Sequence, residues 1–396
     1  MIFIDNMKVI QTISDFGKHS GGTTTATYDL LSALSNLESA IDVELMSPDV
    51  RDKRDTVIGN GENWINISSN DRFSPLEYTM AFKTALNESD ADIYHTNGVW
   101  LYVNHVTCSI ARAKNKPYVI TPHGMLYPET IHRSYWKKWP MWKLWFKKDI
   151  MEASCIHVNC LKEMNHIRDL GYSGPVAVIA NPVPVSDDIT RIYENRSLII
   201  RDDITKEHSI GYLGRLHPRK HVERIIQALA ISSHKDVVLK IMGIGSTDYE
   251  EFLNKETERL SISDRVHFLG FVSGRDKYEN LAKLSALFVV SDMENFGMIV
   301  PEALLVGTPV MASLGTPWKN LEDYKCGWWR DNSPESIAKV IDEVAETSPD
   351  ELLRMGMRGR ELVLDKYESS KVAAKMLKLY SWLLGQGPKP EFVYLS

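Results

Sequence analysis

Short runs rich in valine and isoleucine, apolar on both faces, recur along this chain with longer segments of helical periodicity between them. "KVIQTI" (8–13), "VELMS" (43–47), "DIYHT" (92–96), "PYVITP" (117–122), "CIHVN" (155–159) and "VAVIA" (176–180) form a first series. "HSIGYLG", from about 208, "VVLKIMG" (237–243), "VHFLG" (266–270), "ALFVV" (286–290) and "PVMAS" (309–313) form a second. A strand apolar on both faces must be covered on both, and helices between strands favour parallel pairing. The pattern predicts an α/β chain with two doubly wound parallel sheets. "NPVPVSDD" (181–188) reads as the linker between them. After "CGWW" (326–329) no strand pattern remains, and three helical segments follow at about 334–347, 350–365 and 369–384.

At 396 residues the chain exceeds one ordinary core, so two domains are expected. A net charge of −6 argues against nucleic acid as the main partner, because phosphate binding needs a broad positive surface. Cys108, Cys155, Cys160 and Cys326 form no CxxC pair and read as free thiols of a reducing compartment. No run approaches the roughly 20 apolar residues of a spanning helix. The start "MIFIDNMKVIQTIS" lacks the basic n-region and apolar core of a signal peptide. The expected location is the cytoplasm, including the cytosolic face of the inner membrane.

Ligands of open α/β sheets bind outside the carboxyl ends of the strands, so chemistry is sought there. In "GYLGRLHPRKHVERI" a strand ends at Gly214, Arg215 follows, and Lys220 begins a helix. Two cations five residues apart across such a turn can reach one diphosphate; a lone Arg or Lys would read as surface solubility. In "MENFGMIVPEALLVGTPVMAS" a loop carries Glu294 and Gly297, and Glu302 lies eight residues after Glu294 on a short helix. Pro301 suits the first turn of that helix and Gly307 its end. Both carboxylates could accept bonds from hydroxyls, and amides around Gly297–Ile299 would face an anion; ordinary solvated glutamates are the plain alternative. His95 and His123 end two strands of the first series, and Gly21-Gly22 follow its first strand. "GIGSTD" lacks the third glycine of a dinucleotide fingerprint, and no GxxxxGK[ST] is present. Asp90-Ala-Asp92 precedes its strand and lies at the wrong edge for a ligand metal, so no metal site is expected.

Taken together these residues resemble the retaining GT-B glycosyltransferases of family GT4. The specific part runs from "GYLGRLHPRKHVERIIQAL" through "VHFLGFV" to "SDMENFGMIVPEALLVGTPVMAS", with Arg-x4-Lys and Glu-x7-Glu at strand ends. The first half matches more loosely, through Gly21-Gly22, "DIYHTNG" and "TPHGM". The resemblance implies two Rossmann-like domains facing each other across a cleft. It implies an acceptor-side domain, residues 1–183, completed by a C-terminal helix at about 369–396, and a nucleotide-sugar-binding domain, residues 184–368.

Carried over by motif, Arg215 and Lys220 would hold the nucleotide diphosphate, Glu294 the donor sugar's hydroxyls and Glu302 the ribose. Asn295 and Phe296 complete the donor loop, and Gly297 and Met298 would offer amides. His123 would approach the donor sugar near the acceptor, Gly22 would let the first loop close, and Phe271–Val272 would lie at the base. The implied reaction moves a sugar from a UDP- or GDP-linked donor to a glycan or lipid-linked acceptor, with no cofactor and no metal. Two departures stand out: His221 where glycine usually follows the lysine, and "LGTPWKN" where many members have a Gly-Gly turn. With "CGWW", the latter resembles a bacterial surface-polysaccharide branch. The rival readings are an epimerase or hydrolase on the same scaffold, and a non-catalytic nucleotide-sugar-binding subunit.

"SYWKKWPMWKLWFKK" (134–148) spaces Trp136, Trp139, Trp142 and Trp145 three residues apart among Lys137, Lys138, Lys143, Lys147 and Lys148. On a helix the indoles sweep about half the circumference. Pro140 suggests two short pieces or a helix starting there. Aromatic core and a membrane-facing patch beside the acceptor both fit this basic amphipathic element, and the patch is the expectation.

Overall fold

The computed structural model describes residues 7–17, 21–37, 41–48, 64–67, 78–133, 135–204 and 208–396. The chain divides into two compact units: Met1–Pro182 with Ser369–Ser396, and Val183–Glu368.

The first unit is built on β1 (Met7–Ile13), β2 (Ile41–Pro48), β3 (Trp64–Ile67), β4 (Ile93–Asn97), β5 (Tyr118–Thr121), β6 (Cys155–Val158) and β7 (Val176–Val178). They pair in parallel in the order β7-β6-β5-β4-β1-β2-β3, with the short strand Val393–Tyr394 added antiparallel on β7. Alternate residues serve opposite faces. Ile10, Tyr94, Ile120 and Ile156 enter one core; their neighbours Val9, Ile93, Val119 and Cys155 enter the other. Helix Ser369–Leu383 lays Val372, Met376, Leu379 and Tyr380 into the second core at three- and four-residue spacing.

The second unit contains β8 (Ser209–Leu213), β9 (Val238–Met242), β10 (Val266–Gly270), β11 (Ala286–Val289), β12 (Val310–Ser313) and β13 (Gly327–Arg330), all parallel in the order β10-β9-β8-β11-β12-β13.

Three strands escape the sequence pattern. β3 has only four residues, β13 buries only Trp328, and Val393–Tyr394 is two residues long, with Val393 in the second core. The linker is also shorter than its composition suggests, because a helix starts at Asp187 and runs to Ile204. Asp187 and Asp188 suit its positive end. Its buried stripe is Ile189, Ile192, Arg196 and Ile200, and the arginine masks the periodicity.

Candidate active site

At the carboxyl edge of the second sheet, β8 and β9 end close together. A Cβ on Gly243 would stand 1.8 Å from the Gly214 carbonyl oxygen, so no side chain fits there. Tyr212 donates its hydroxyl to the Arg215 carbonyl at 2.9 Å and fixes the turn. Burial, with Glu294 nearby, pushes this phenol well above its ordinary range. Arg215 is exposed, and its guanidinium makes no ion pair with a described residue. A 3-10 turn, Pro218–Lys220, carries the Lys220 ammonium onto Oε1 of Glu294, in the loop after β11. Ser291 donates to the same oxygen at 2.8 Å.

His221 sits at φ 52° and ψ 40°, a left-handed conformation that glycine adopts without penalty. The usual glycine of this turn is thus replaced by a residue that ties it down: His221 bonds Glu223 at 3.0 Å and Asp292 at 2.5 Å. Asp292 also receives Asn332 and Arg224. The segment "LGTPWKN" has its own purpose, since buried Trp318 donates its indole N–H to the Phe296 carbonyl and packs on Phe296 and Tyr367. That fixes the loop Glu294–Met298 ahead of helix Ile299–Leu305.

Glu302 does not join the Lys220–Glu294 pair. It binds Lys277 at 2.9 Å, on helix Gly274–Ala282, which follows exposed Phe271 and half-buried Val272 at the end of β10. Lys277, Ser291, Tyr212 and Trp318 were not singled out by sequence reading. For Ser291 the signal was adjacency to the acidic loop; for Lys277 there was none.

In the first unit, Gly21 holds φ 104° and ψ −170°, a glycine conformation, and helix Gly22–Ser35 follows directly. His123, at φ 50°, is half-buried and its Nε2 lies 3.1 Å from Asn97 Oδ1. Burial, then the nearby His157, push its imidazole down to about 3. The next residue, Gly124, donates its amide to buried Glu163 at 2.6 Å, and Asn159 donates to the other carboxylate oxygen at 3.0 Å. Burial raises this carboxyl to about 7 against those two bonds. Asn97 also lines a cavity of about 240 Å³ with Ser14, Asp15, Thr23, Thr24 and Asn104. His95 lies within β4, wholly buried, and is no open-edge residue.

The tryptophan segment is one continuous helical stretch and Pro140 does not divide it. Helix Tyr135–Met141 contains the proline, a π turn Trp142–Phe146 follows, and helix Lys147–Met151 continues. The indoles divide by role. Trp142 packs on Trp100 at 6.0 Å and Trp145 stacks on His105 at 5.4 Å, whereas Trp136 and Trp139 are 75% and 44% exposed. Lys143 lies over the Trp139 ring at 4.2 Å and Lys138 over Trp100 at 5.3 Å. These side chains, with Tyr135 and Lys147, border a cavity of about 300 Å³. Ser134 and the Lys137 side chain lie outside the described residues.

Asp92 accepts the Lys8 amide at 3.0 Å and pairs with Lys116, a structural role. Among the described residues no cluster has the form of a metal site, all four cysteines are free, and no helix is long and apolar enough to cross a membrane.

Residues 20–187 match the profile described as Glycosyltransferase Family 4, and residues 199–362 that of Glycosyl transferases group 1. An uncharacterized glycosyltransferase of Methanocaldococcus jannaschii is 30% identical over 222 residues, covering 52% of this chain and 53% of that protein. The chain spans 36% to 53% of the length of the first curated relatives it matches. Among solved structures, Anabaena HepE in complex with UDP and glucose is 18% identical with a TM-score of 0.70, covering 95% of this chain and 100% of that one. Sucrose-phosphate synthase from Thermosynechococcus elongatus is 18% identical with a TM-score of 0.73, covering 96% and 100%. At these identities the structures speak to the fold.

Proposed function

We propose, on the premise that this chain belongs to glycosyltransferase family 4 and has the GT-B fold, that it is a retaining, metal-independent transferase. It moves a sugar from a nucleotide-diphosphate donor to a hydroxyl of a glycan or lipid-linked glycan. The observation that carries the reading is the Lys220–Glu294 pair, with exposed Arg215 in the same loop as Lys220, at the carboxyl ends of adjacent strands β8 and β11.

In this reading Arg215 and Lys220 bind the diphosphate, each charge-assisted bond contributing roughly 1.5–3 kcal/mol. Glu294, anchored by Ser291, receives hydroxyls of the donor sugar. Asn295, Phe296, Gly297 and Met298 form the loop around it, with the Gly297 and Met298 amides directed to phosphate or sugar. Glu302 takes the ribose, with Lys277 holding its carboxylate in place, and Phe271–Val272 meet the base, uridine or guanosine. HepE, which shares the fold, was solved with UDP and glucose.

His123 and the cavity lined by its partner Asn97 serve the sugar and acceptor side, with Gly22 at the first loop. The acceptor hydroxyl attacks on the face from which the diphosphate leaves, and its proton passes to a phosphate oxygen. Cations and amides aimed at the departing diphosphate supply the main rate enhancement. Trp136, Trp139 and Leu144, with Lys143, Lys147 and Lys148, rest on an anionic leaflet at the cytosolic face, where a lipid-linked acceptor resides.

The test is turnover of UDP- and GDP-sugars with and without lipid-linked acceptors, with the anomeric configuration of the product read by NMR. Acceptor-dependent transfer with retained configuration is expected. Donor hydrolysis or epimerisation indifferent to acceptor would overturn the reading.

A further inference from the structure

Eight groups of the first unit form one unbroken chain of hydrogen bonds beneath the carboxyl edge of its sheet. His157 Nε2 lies 2.8 Å from the Ile179 carbonyl, and its Nδ1 lies 2.8 Å from the Thr121 hydroxyl. Thr121 lies 2.6 Å from His95 Nε2, and His95 Nδ1 lies 2.6 Å from the Tyr380 hydroxyl. Gln11 Nε2 reaches Tyr380 at 3.3 Å, Asn97 Nδ2 reaches Gln11 Oε1 at 3.1 Å, and Asn97 Oδ1 meets His123 Nε2 at 3.1 Å. The six side chains between the Ile179 carbonyl and His123 are each at most 4% exposed.

The direction of every bond follows from one end. A carbonyl oxygen only accepts, so His157 carries its proton on Nε2. Burial keeps His157 neutral, down to about 4, so its Nδ1 accepts and Thr121 must donate to it. A hydroxyl has one hydrogen, so Thr121 accepts from His95 Nε2–H. His95, likewise held neutral by burial, then accepts at Nδ1 from Tyr380. The tyrosine oxygen accepts from Gln11, whose carbonyl accepts from Asn97. The relay thus turns Nδ2 of Asn97 toward Gln11, and a second, longer bond to the Thr12 carbonyl at 3.4 Å runs in the same sense. Its Oδ1 therefore accepts from His123.

We infer that this relay fixes His123 as the Nε2–H tautomer, so that its Nδ1 presents a lone pair to a hydroxyl of the substrate, and that Tyr380, Thr121 and His157 are positioning residues for it. Nδ1 of His123 makes no hydrogen bond with a described residue. A neutral imidazole in this state accepts from an O–H and has no proton for a phosphate on that side. The second half of the inference, the substrate hydroxyl, rests on the proposed transferase reading; the tautomer does not.

The experiment is long-range ¹H–¹⁵N correlation of the histidine rings in the full chain at neutral pH. His95, His123 and His157 are each expected as neutral Nε2–H rings. Tyr380→Phe, which keeps the buried ring, should turn His123 into a mixture of tautomers and lower kcat about tenfold with KM for donor changed less than twofold. Thr121→Val should do the same and Thr121→Ser should restore both readings, so a poorly folding Tyr380 variant does not decide the matter. His123 found with its proton on Nδ1, or unmoved by both disruptive changes, overturns the relay. A ring that responds while turnover does not leaves the relay standing and removes His123 from the reaction.

Discussion

Lys220 and Glu294, 74 residues apart in sequence, meet as an ion pair where β8 and β11 run side by side. The sheet brings them together: each strand delivers its following loop to the same edge, and Ser291 holds the carboxylate from behind.

Glu294→Ala should lower turnover by at least about a hundredfold, the usual scale for losing one oriented polar group at a developing charge. The pair is only partly buried, so the melting temperature should stay within a few degrees. Wild-type turnover in this variant would take Glu294 out of the reaction.

Glu302→Gln should act on binding. If Glu302 holds ribose hydroxyls and Lys277 holds Glu302, KM for the donor rises roughly tenfold and kcat changes little. Steady-state kinetics with donor varied will tell; an unchanged KM places Glu302 elsewhere.

The tryptophan segment should separate by position. Trp139→Ala with Lys143→Glu should weaken co-sedimentation with anionic liposomes, at roughly 1 kcal/mol for each lysine charge, without changing stability. Trp142→Ala removes packing on Trp100 and should cost about 2 kcal/mol or more in urea unfolding. Unchanged sedimentation of the first variant would end the membrane reading.

Acid should destabilise the first unit. His95, His123 and His157 stay neutral in the fold while the unfolded chain protonates them near 6.5, so the unfolded state binds more protons. Their contribution is full above that pH and is lost as pH falls, at about 1.4 kcal/mol per group per pH unit, for His157 until about 4. Glu163 acts oppositely, its folded carboxyl holding a proton up to about 7. Three groups outweigh one, so unfolding free energy should drop between pH 6.5 and 5, and Glu163→Gln should steepen the drop. A flat profile contradicts this.

His221→Gly should be nearly neutral for folding. Relief of the left-handed conformation, about 1 kcal/mol, offsets bonds to Glu223 and partly exposed Asp292 of similar worth. His221→Val keeps the strain, loses the bonds and should melt several degrees lower. Equal melting temperatures for both would refute the offset.

The two sheets were legible because their strands are apolar on both faces and glycines punctuate their ends. The same punctuation put Arg215, Lys220 and Glu294 on loops at one sheet edge. What the sequence hid is side-chain pairing at long separation. Nothing near Tyr380 announces its bond to His95, 285 residues away, and Lys277 looks like any helix lysine until Glu302 is seen against it. Local rules also misled where a neighbour compensated. Pro140 reads as a break, yet it lies inside helix Tyr135–Met141; Arg196 interrupts an apolar stripe, yet it is buried and donates to the Leu284 carbonyl.

Because helix Ser369–Leu383 supplies Tyr380 to the first unit, that unit cannot finish folding until this helix has left the ribosome. The second unit, contiguous from Val183 to Glu368, has all its residues earlier. Biosynthesis thus inverts the order of the halves, and a polypeptide released before residue 369 would carry a complete second unit behind a first one that still lacks its closing helix.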